Sequence, residues 1–452
     1  MDIQFLGATG TVTGSRYLFR SGWRQILVDC GLFQGYKQLR LRNWTPLPID
    51  PGTLDAVLLT HAHIDHSGYL PLLVRNGFRG KIYCTRSTED LCRIMLPDSA
   101  HLQEEEAEYA NRKGFSKHKP ALPLYTLQDA KHCLKHFKAV DYDIPIELGE
   151  GLTAKLLPAG HLLGAAMVSL RGSHGSVLFS GDVGRPHDVL MKAPAPLQAH
   201  DYLVVESTYG NRIHPADDVA EKLADVVKRT AARGGIIIVP SFAVGRTQAM
   251  LYHLGKLREQ HRIPKIPVYV NSPMATEATR IYMDHPGEHR LNAAECKALC
   301  ASAHFVQSIE ESRALNDRKG PMIIIAGSGM ATGGRVVHHL KSHVSNPANT
   351  VLFTGFQTGG TRGASMVAGA TEIKIHGEYI PVRAEVAMLD NLSGHADANE
   401  LLAWLRTCPK PPRTTFITHG EPAAADALRL RIEEELHWQC AVPDYLQDVK
   451  LN

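Results

Sequence analysis

The stretch "LLTHAHIDHSGYLP", residues 58–71, places three histidines and one aspartate within six positions. The apolar run at residues 54–60 before them is typical of a short buried strand, and Ser67 with Gly68 indicates a turn that leads into a short helix. The four polar residues are therefore expected just beyond the carboxyl end of a strand. They are His61, His63, Asp65 and His66.

The spacing of these four residues favours metal binding. Residues two apart in extended chain point the same way, so His61 and His63 converge on one point, whereas Asp65 and His66 lie beyond the bend and face a neighbouring point. Imidazole suits zinc, and a carboxylate is an acceptable partner ligand. A polar surface loop or hydrogen-bonded core histidines are the alternatives, but two adjacent pairs after a buried strand favour two metal ions.

Length and composition indicate an ordinary globular chain. It has 452 residues, of which 44% are hydrophobic and 21% charged, which suggests two or three domains. The formal net charge of +3 permits an anionic substrate without requiring one. We find no apolar run long enough to span a membrane and no signal-peptide pattern. The eight cysteines are scattered, so we expect a reduced, cytoplasmic chain.

The predicted pattern of strands, turns and helices changes along the chain. Short strands and turns dominate at first. From about residue 210, apolar strands alternate with glycine turns and helices, as in "GGIIIVPSFAVGRTQAMLYHLGKL", which predicts a parallel sheet covered on both faces. The first pattern returns near residue 382. We therefore predict a host domain at 1–207 and 385–452, interrupted by an inserted α/β domain at 208–384.

Four further polar residues also follow apolar strands, and strand ends in one sheet layer can share a cleft. Each alone is a weak signal, because Asp or His beside glycine usually belongs to a turn. One zinc ion is assigned His61, His63 and His161, and the other Asp65, His66 and His419. Asp182 is expected to bridge both ions, since a carboxylate has two oxygens. Asp29 is expected to orient a ligand histidine.

These residues resemble the defining set of the metallo-β-lactamase fold: a strand-end Asp, H-x-H-x-D-H, a later His and a later Asp. The segments "VVESTYGN", "VPSFAVGRTQ", "AGSGMATGGR", "SGHAD" and "THGE" further resemble the β-CASP subfamily of nucleases. The resemblance covers essentially the whole chain and points to bacterial relatives of the mRNA 3′-end-processing endonuclease. It implies a metallo-β-lactamase αββα sandwich with an inserted β-CASP α/β domain containing a parallel sheet.

The resemblance also implies a function. The implied function is that of a zinc-dependent ribonuclease with two Zn²⁺ per chain. Such an enzyme hydrolyses single-stranded RNA through a metal-activated hydroxide and leaves a 5′-phosphate and a 3′-hydroxyl. The implied catalytic residues are the general acid His395, its partner Glu206, and Asp65 with Asp182. His419 matches a motif position at which RNA-acting members carry histidine. Endonuclease or 5′→3′ exonuclease action, sequence preference and oligomeric state stay open, a homodimer being one expectation; no membrane association is expected.

The glycine-rich segment "GSGMATGGR" follows an apolar strand and opens a helix, where backbone N–H groups can bind phosphate. The alternative is that its glycines only permit a tight turn, and that the arginines are surface residues or form ion pairs. The candidate substrate-binding residues are Ser328, Gly329, Gly333, Gly334, Arg335 and Arg362.

Other functions compete with this interpretation. Metallohydrolases of small esters, thioesters or lactones share the metal ligands, but they lack a large insertion together with Glu206, His395 and His419. An inactive scaffold would have lost ligands, whereas all of them are present here. A DNA nuclease is the nearest rival within the same family.

Overall fold

A computed structural model describes residues 1–114, 116–215 and 217–451. The strands, in chain order, are β1 (Asp2–Phe5), β2 (Tyr17–Ser21), β3 (Arg24–Val28), β4 (Ala56–Leu58), β5 (Lys81–Cys84), β6 (Phe137–Ala139), β7 (Ile146–Gly149), β8 (Leu152–Pro158), β9 (Ala166–Gly172), β10 (Gly175–Phe179), β11 (Tyr202–Glu206), β12 (Ile236–Pro240), β13 (Val268–Asn271), β14 (His304–Phe305), β15 (Met322–Ala326), β16 (Thr350–Phe353), β17 (Glu372–Ile375), β18 (Glu378–Pro381), β19 (Glu385–Met388), β20 (Thr414–Thr418), β21 (Cys440–Ala441) and β22 (Asp448–Lys450).

The α-helices, again in chain order, are α1 (Lys37–Leu41), α2 (Ile64–Ser67), α3 (Leu70–Arg75), α4 (Arg86–Lys113), α5 (Leu127–Cys133), α6 (Val219–Ala232), α7 (Arg246–Glu259), α8 (Pro273–Asp284), α9 (Ala293–Ala301), α10 (Ile309–Asp317), α11 (Arg335–His343), α12 (Arg362–Val367), α13 (Ala398–Leu405) and α14 (Pro422–Leu436). Within the described ranges, none of them is long and apolar enough to cross a membrane.

The chain divides into two compact units. One, here called the sandwich unit, comprises residues 1–213 and 395–452, and the other, the inserted unit, comprises residues 214–394. The predicted limits of the inserted domain, 208 and 384, lie six and ten residues before the limits of this unit, and they stay a prediction.

The sandwich unit contains two seven-stranded sheets within its described residues. Their orders are β22-β1-β2-β3-β4-β5-β6 and β21-β20-β11-β10-β9-β8-β7. Alternate side chains of both sheets, such as Phe5, Leu156 and Phe416, meet in one buried apolar cluster, so the sheets pack face to face. Helix α14 packs against β20. The predicted fold class is confirmed.

The inserted unit is built on a parallel sheet. Its strand order is β14-β13-β15-β12-β16-β19, and each neighbouring pair is parallel. Strands β12 and β15 are buried along their whole length, as expected for strands that helices cover on both faces. The parallel sheet predicted from the alternating strands and helices is therefore confirmed.

Parallel pairing in the sandwich unit directs several chain segments to common sheet edges. Strands β3, β4, β5 and β6 pair in parallel in one sheet, and β10, β11 and β20 do so in the other. The carboxyl ends of parallel strands meet at the same edge of a sheet, which is where α/β proteins place their sites. Most of the predicted ligands leave strands of these two sets.

The turn predicted at Ser67 and Gly68 lies one residue later, at Gly68 and Tyr69, and the predicted short helix follows it as α3. Helix α2 already contains Asp65 and His66, and it ends at Ser67. The Ser67 hydroxyl donates to the carbonyls of Ala62 and His63, at 2.8 and 3.0 Å, which ties the end of this short helix back to its start. The loop therefore winds into one helical turn before the bend.

Phe5 offers a test of the face-to-face packing. It is fully buried, and its ring lies 5.3 Å from that of Phe416 on the opposite sheet. We expect Phe5→Ala to lower the free energy of unfolding by about 3–5 kcal/mol, because it leaves a cavity between the sheets. Urea unfolding followed by circular dichroism measures this. The control Trp23→Ala, at an exposed residue of the same unit, is expected to change it by less than about 0.5 kcal/mol.

Candidate metal centre

The predicted ligands gather at one place in the sandwich unit. Among the groups of described side chains whose ligand atoms lie within 4.8 Å of one another, two contain all of the predicted ligands. The first group is His61, His63, His161 and Asp182, and the second is Asp65, His66 and His419. This is the same division that the sequence predicted.

The first group is compact. Nδ1 of His63 lies 3.2 Å from Nε2 of His61 and 3.3 Å from Nε2 of His161. Asp182 Oδ2 lies 3.4 Å from the same nitrogen of His61 and 3.5 Å from that of His161. Three imidazole nitrogens and one carboxylate oxygen thus face a common point, which is the donor set of a tetrahedral zinc site.

The second group contains two imidazoles and one carboxylate, and Asp182 of the first group also reaches it. The Nε2 atoms of His66 and His419 are 3.1 Å apart, and Asp65 Oδ2 lies 3.5 Å from Nε2 of His419. The other oxygen of Asp182, Oδ1, lies 3.2 Å from Nε2 of His66 and 3.6 Å from Nδ1 of His419. Asp182 therefore presents one oxygen to each group.

Left-handed backbone at the strand exits turns these side chains inward. Asp29, directly after β3, has a φ of 58°, and His419, directly after β20, has a φ of 50°. Gly160 and Gly181 have φ values of 72° and 55° and each precedes a ligand by one residue. Asp and glycine are tolerated in this region far better than β-branched residues, which is why these residue types suit the sharp exits.

Asp29 orients a ligand instead of joining the cluster. His66 Nδ1 donates a hydrogen bond of 2.7 Å to Asp29 Oδ2, which leaves Nε2 of His66 directed at the other ligands. The backbone N–H and hydroxyl of Thr60 donate to the two carboxylate oxygens of Asp29, both at 2.8 Å. A carboxylate behind a ligand histidine fixes its tautomer and raises its basicity.

Burial keeps the three histidines of the first group neutral. Burial and the nearby His66 lower the pKa of His61, and burial followed by His61 lowers the pKa of His63 to about 3. Burial followed by His395 holds the pKa of His161 well below the usual value. Neutral imidazole is the form that binds a metal ion.

His66 of the second group and the shared Asp182 favour their charged forms. Burial opposes ionisation of both, but the Asp182 and Asp29 carboxylates raise the pKa of His66 well above its usual value. Burial is likewise outweighed at Asp182, whose pKa His419 and His66 hold well below normal. In the described chain, Asp182 Oδ1 and His161 Nδ1 are buried without a hydrogen bond. A buried carboxylate oxygen without a hydrogen bond, surrounded by imidazole nitrogens, fits a bound metal ion.

A second histidine–carboxylate pair lies beside the cluster. His395 Nδ1 donates to both oxygens of the buried Glu206, at 3.1 Å each, and its Nε2 lies 3.8 Å from Asp182 Oδ2. Glu206 also accepts hydrogen bonds from the backbone N–H groups of Val183, at 2.6 Å, and Thr208, at 3.3 Å. These bonds hold the carboxylate so that the far nitrogen of His395 points toward the ligands.

Sequence reasoning missed two hydroxyl groups in this centre. Thr60 bonds to Asp29, and the Thr208 hydroxyl lies 3.1 Å from Nδ1 of His419. The only available signal was their position, since Thr60 directly precedes the first ligand and Thr208 follows Glu206 by two residues.

The predicted substrate-binding residues lie in the inserted unit. Arg335 donates to Asn271 Oδ1 at 2.7 Å and to the carbonyl of Gln307 at 3.3 Å. Arg362 donates to the carbonyls of Lys374, Ala331 and Thr332 at 2.7–2.9 Å. These bonds attach both guanidinium groups to neighbouring backbone and side-chain groups of the inserted unit itself. The predicted phosphate role of both arginines stays a prediction.

The loop that carries the other candidates is held by its own bonds. The Ser328 hydroxyl accepts from the backbone N–H groups of Thr332 and Gly333, at 3.0 and 3.4 Å. Gly334 has a φ of 70°, and a Cβ there would lie 2.8 Å from the carbonyl oxygen of Gly327. A tight turn explains these bonds and the Gly334 conformation. Phosphate binding by Ser328, Gly329, Gly333 and Gly334 also stays a prediction.

Three family models match the chain. The metallo-β-lactamase superfamily matches residues 10–223, the Beta-Casp domain residues 247–366, and the Zn-dependent metallo-hydrolase RNA specificity domain residues 379–443. Together they cover both units and every predicted ligand.

Similar proteins agree with these matches. Ribonuclease TTHA0252 of Thermus thermophilus is 38% identical over 93% of each chain. Transcription termination factor FttA of Methanocaldococcus jannaschii is 31% identical over 96% of this chain and 70% of its own length. A protein of unknown function from Enterococcus faecalis has the same fold, with a TM-score of 0.54 at 14% identity over 100% of this chain and 99% of that one. The chain therefore belongs to the metallo-β-lactamase superfamily, in its β-CASP nuclease subfamily, and is a metal-dependent hydrolase.

Proposed function

We propose that the chain is a zinc-dependent ribonuclease that hydrolyses phosphodiester bonds of single-stranded RNA, leaving a 5′-phosphate and a 3′-hydroxyl. The observation that carries the proposal is the His395–Glu206 pair directed at Asp182, because it adds a proton donor to a zinc-type ligand set. The full-length similarity to a protein named as a ribonuclease supports RNA as the substrate.

Two zinc ions fit the ligand atoms in this proposal. His61, His63 and His161 would hold one, Asp65, His66 and His419 would hold the other, and Asp182 would contribute an oxygen to each. Bound zinc supplies Lewis acidity, which activates water near neutral pH and offsets phosphate charge. Asp29 keeps the Nδ1 proton of His66 in place, so that its Nε2 is available as a ligand.

His395 acts as the general acid. Its Nδ1 proton is held by Glu206, so its Nε2 proton is the one available for transfer. That proton goes to the departing 3′ oxygen of the ribose when the P–O bond breaks, which yields the 3′-hydroxyl. Glu206 stabilises the charged imidazolium and fixes the plane of its ring. Endonuclease or exonuclease action, a cytoplasmic location and a homodimer stay predictions.

The substrate is tested by incubating the zinc-loaded protein with a 5′-labelled single-stranded RNA, with DNA of the same sequence, and with a chromogenic carboxylic ester. We expect the RNA to be cut to products with 5′-phosphates, and DNA and ester to be largely spared. Removal of zinc with a chelator should stop cleavage, and added zinc should restore it. Cleavage of DNA alone would make the chain a DNA nuclease, and turnover of the ester alone would make it a small-molecule hydrolase.

The ligand assignment is tested by counting zinc. We expect His61→Ala and His66→Ala each to lower the content from about two zinc ions per chain to about one, because each removes a ligand from a different group. Mass spectrometry of the intact protein or elemental analysis measures this. The control His174→Ala, at an exposed residue of the same unit, should retain both ions. A double variant of His61 and His66 that still binds two ions would contradict the assignment.

The role of His395 is tested with two leaving groups. We expect His395→Ala to lower kcat on RNA by about 10²–10⁴-fold with zinc content unchanged, since the alkoxide must then leave without a proton. The loss on bis(p-nitrophenyl) phosphate should be much smaller, because p-nitrophenolate leaves readily unprotonated. Glu206→Gln should show the same selectivity to a lesser degree. An equal loss on both substrates would mean that His395 acts in some other way than as a proton donor.

A further inference from the structure

A basic and aromatic surface segment follows the Asp29 turn. Residues 34–44, here called the strap, contain the short helix α1 and expose large apolar side chains. Tyr36, Leu41 and Trp44 are 53%, 55% and 58% exposed. The strap also carries Lys37, Arg40 and Arg42, and the sequence has no acidic residue between Asp29 and Asp50. Exposed aromatic side chains grouped with cations usually mark a binding surface.

The strap is closed at its base. The buried side-chain amide of Asn43 pairs with the backbone of Phe33 in both directions: its Oδ1 accepts from the N–H at 2.9 Å, and its Nδ2 donates to the carbonyl at 2.8 Å. Arg16 donates a further bond of 3.3 Å to the same Oδ1. A loop with its ends tied in this way presents its outer side chains from a fixed base.

The base of the strap is attached to the metal centre. The buried Arg16 donates through Nε to the carbonyl of Gly31 at 2.8 Å, and its guanidinium lies 4.0 Å from the ring centroid of Tyr69. Gly31 packs so tightly on the ligand loop that a Cβ there would lie 1.5 Å from the carbonyl oxygen of Asp65. The base of the strap is therefore connected through Arg16 and Gly31 to the loop that carries Asp65, within the same unit.

The aromatic and basic composition of the strap favours single-stranded nucleic acid as its partner. Aromatic rings bind unpaired bases by stacking, and Lys and Arg bind the phosphates between them, which together suit single-stranded nucleic acid. A second copy of the chain docked strap to strap would set three cations against three with no acid in either segment, and like charges in contact are costly.

We propose that the strap binds single-stranded RNA on its way to the metal centre, with bases stacked on Tyr36 and Trp44 and phosphates held by its lysine and arginines. The proposal rests on the proposed ribonuclease function, and it adds a substrate-binding surface in the sandwich unit. It is a positioning surface, because none of its side chains belongs to the ligand groups or to the His395–Glu206 pair.

The first test uses tryptophan fluorescence. The chain has four tryptophans, of which Trp404 and Trp438 are buried, whereas Trp44 and Trp23 are exposed. Zinc-loaded Trp23→Phe retains Trp44 as its exposed tryptophan, and Trp44→Phe retains Trp23. We expect poly(U) to quench the emission of Trp23→Phe and to leave that of Trp44→Phe nearly unchanged, because a stacked base quenches indole.

The second test is kinetic. We expect the double variant Tyr36→Ala/Trp44→Ala to raise KM for a long single-stranded RNA by about 10- to 100-fold, with zinc content and the rate on bis(p-nitrophenyl) phosphate unchanged. The matched control Trp23→Ala, 89% exposed in the hairpin between β2 and β3, should leave KM unchanged. Lys37→Gln with Arg40→Gln should reduce the salt dependence of RNA binding by a log–log slope of about 1.4.

The outcomes separate the two proposals. If the wild type cuts RNA but poly(U) does not quench Trp44 and the double variant keeps its KM, the strap proposal is overturned and the nuclease stands. If poly(U) quenches Trp44 while no RNA is cut, the strap binds RNA and the nuclease proposal fails. If the double variant changes only the oligomeric state in gel filtration, the strap contacts a second copy and the RNA proposal is wrong.

Discussion

The centre depends on one buried carboxylate that is shared between two groups of ligands. Asp182 is 2% exposed, and each of its oxygens lies within 3.6 Å of two imidazole nitrogens of a different group. A buried anion is tolerated only where opposite charge or hydrogen-bond donors surround it. The left-handed turn at Gly181 and the parallel strands β10, β11 and β20 bring the carboxylate and its partners to one place. The ligand geometry follows from that constraint.

Much of this could be predicted because the relevant signals are local. The H-x-H-x-D-H spacing after a buried strand predicted four ligands whose side chains the structure brings close together. The turn after His66 was misplaced, because the side-chain bond from Ser67 to preceding carbonyls is invisible to a pattern of turn residues. Glu206 and His395 are 189 positions apart, so only resemblance to a family paired them before the structure brought them together.

The sequence could not predict the contacts of side chains that can bind several kinds of partner. Arginine has five donors, and a glycine-rich loop does not reveal whether they face phosphate or backbone carbonyls. Arg335 and Arg362 donate to groups of the inserted unit itself. The sequence also did not predict the strap as a binding surface, because exposure cannot be read from residue type. Tyr36 and Trp44 look like core residues in a sequence, and they indicate binding only once their exposure is known.

The two ligand groups also differ in a way that bears on the reaction. The first offers three imidazoles that burial keeps neutral, whereas the second includes the carboxylate of Asp65 and a His66 that is hydrogen-bonded to Asp29. His395 stands on the side of the first group, because its Nε2 lies nearest the Asp182 oxygen that faces that group. Its ring centroid is 4.4 Å from that of His161 but 6.3 Å from that of His419. In the proposed mechanism, the oxygen that accepts the proton from His395 therefore departs on the side of the first group.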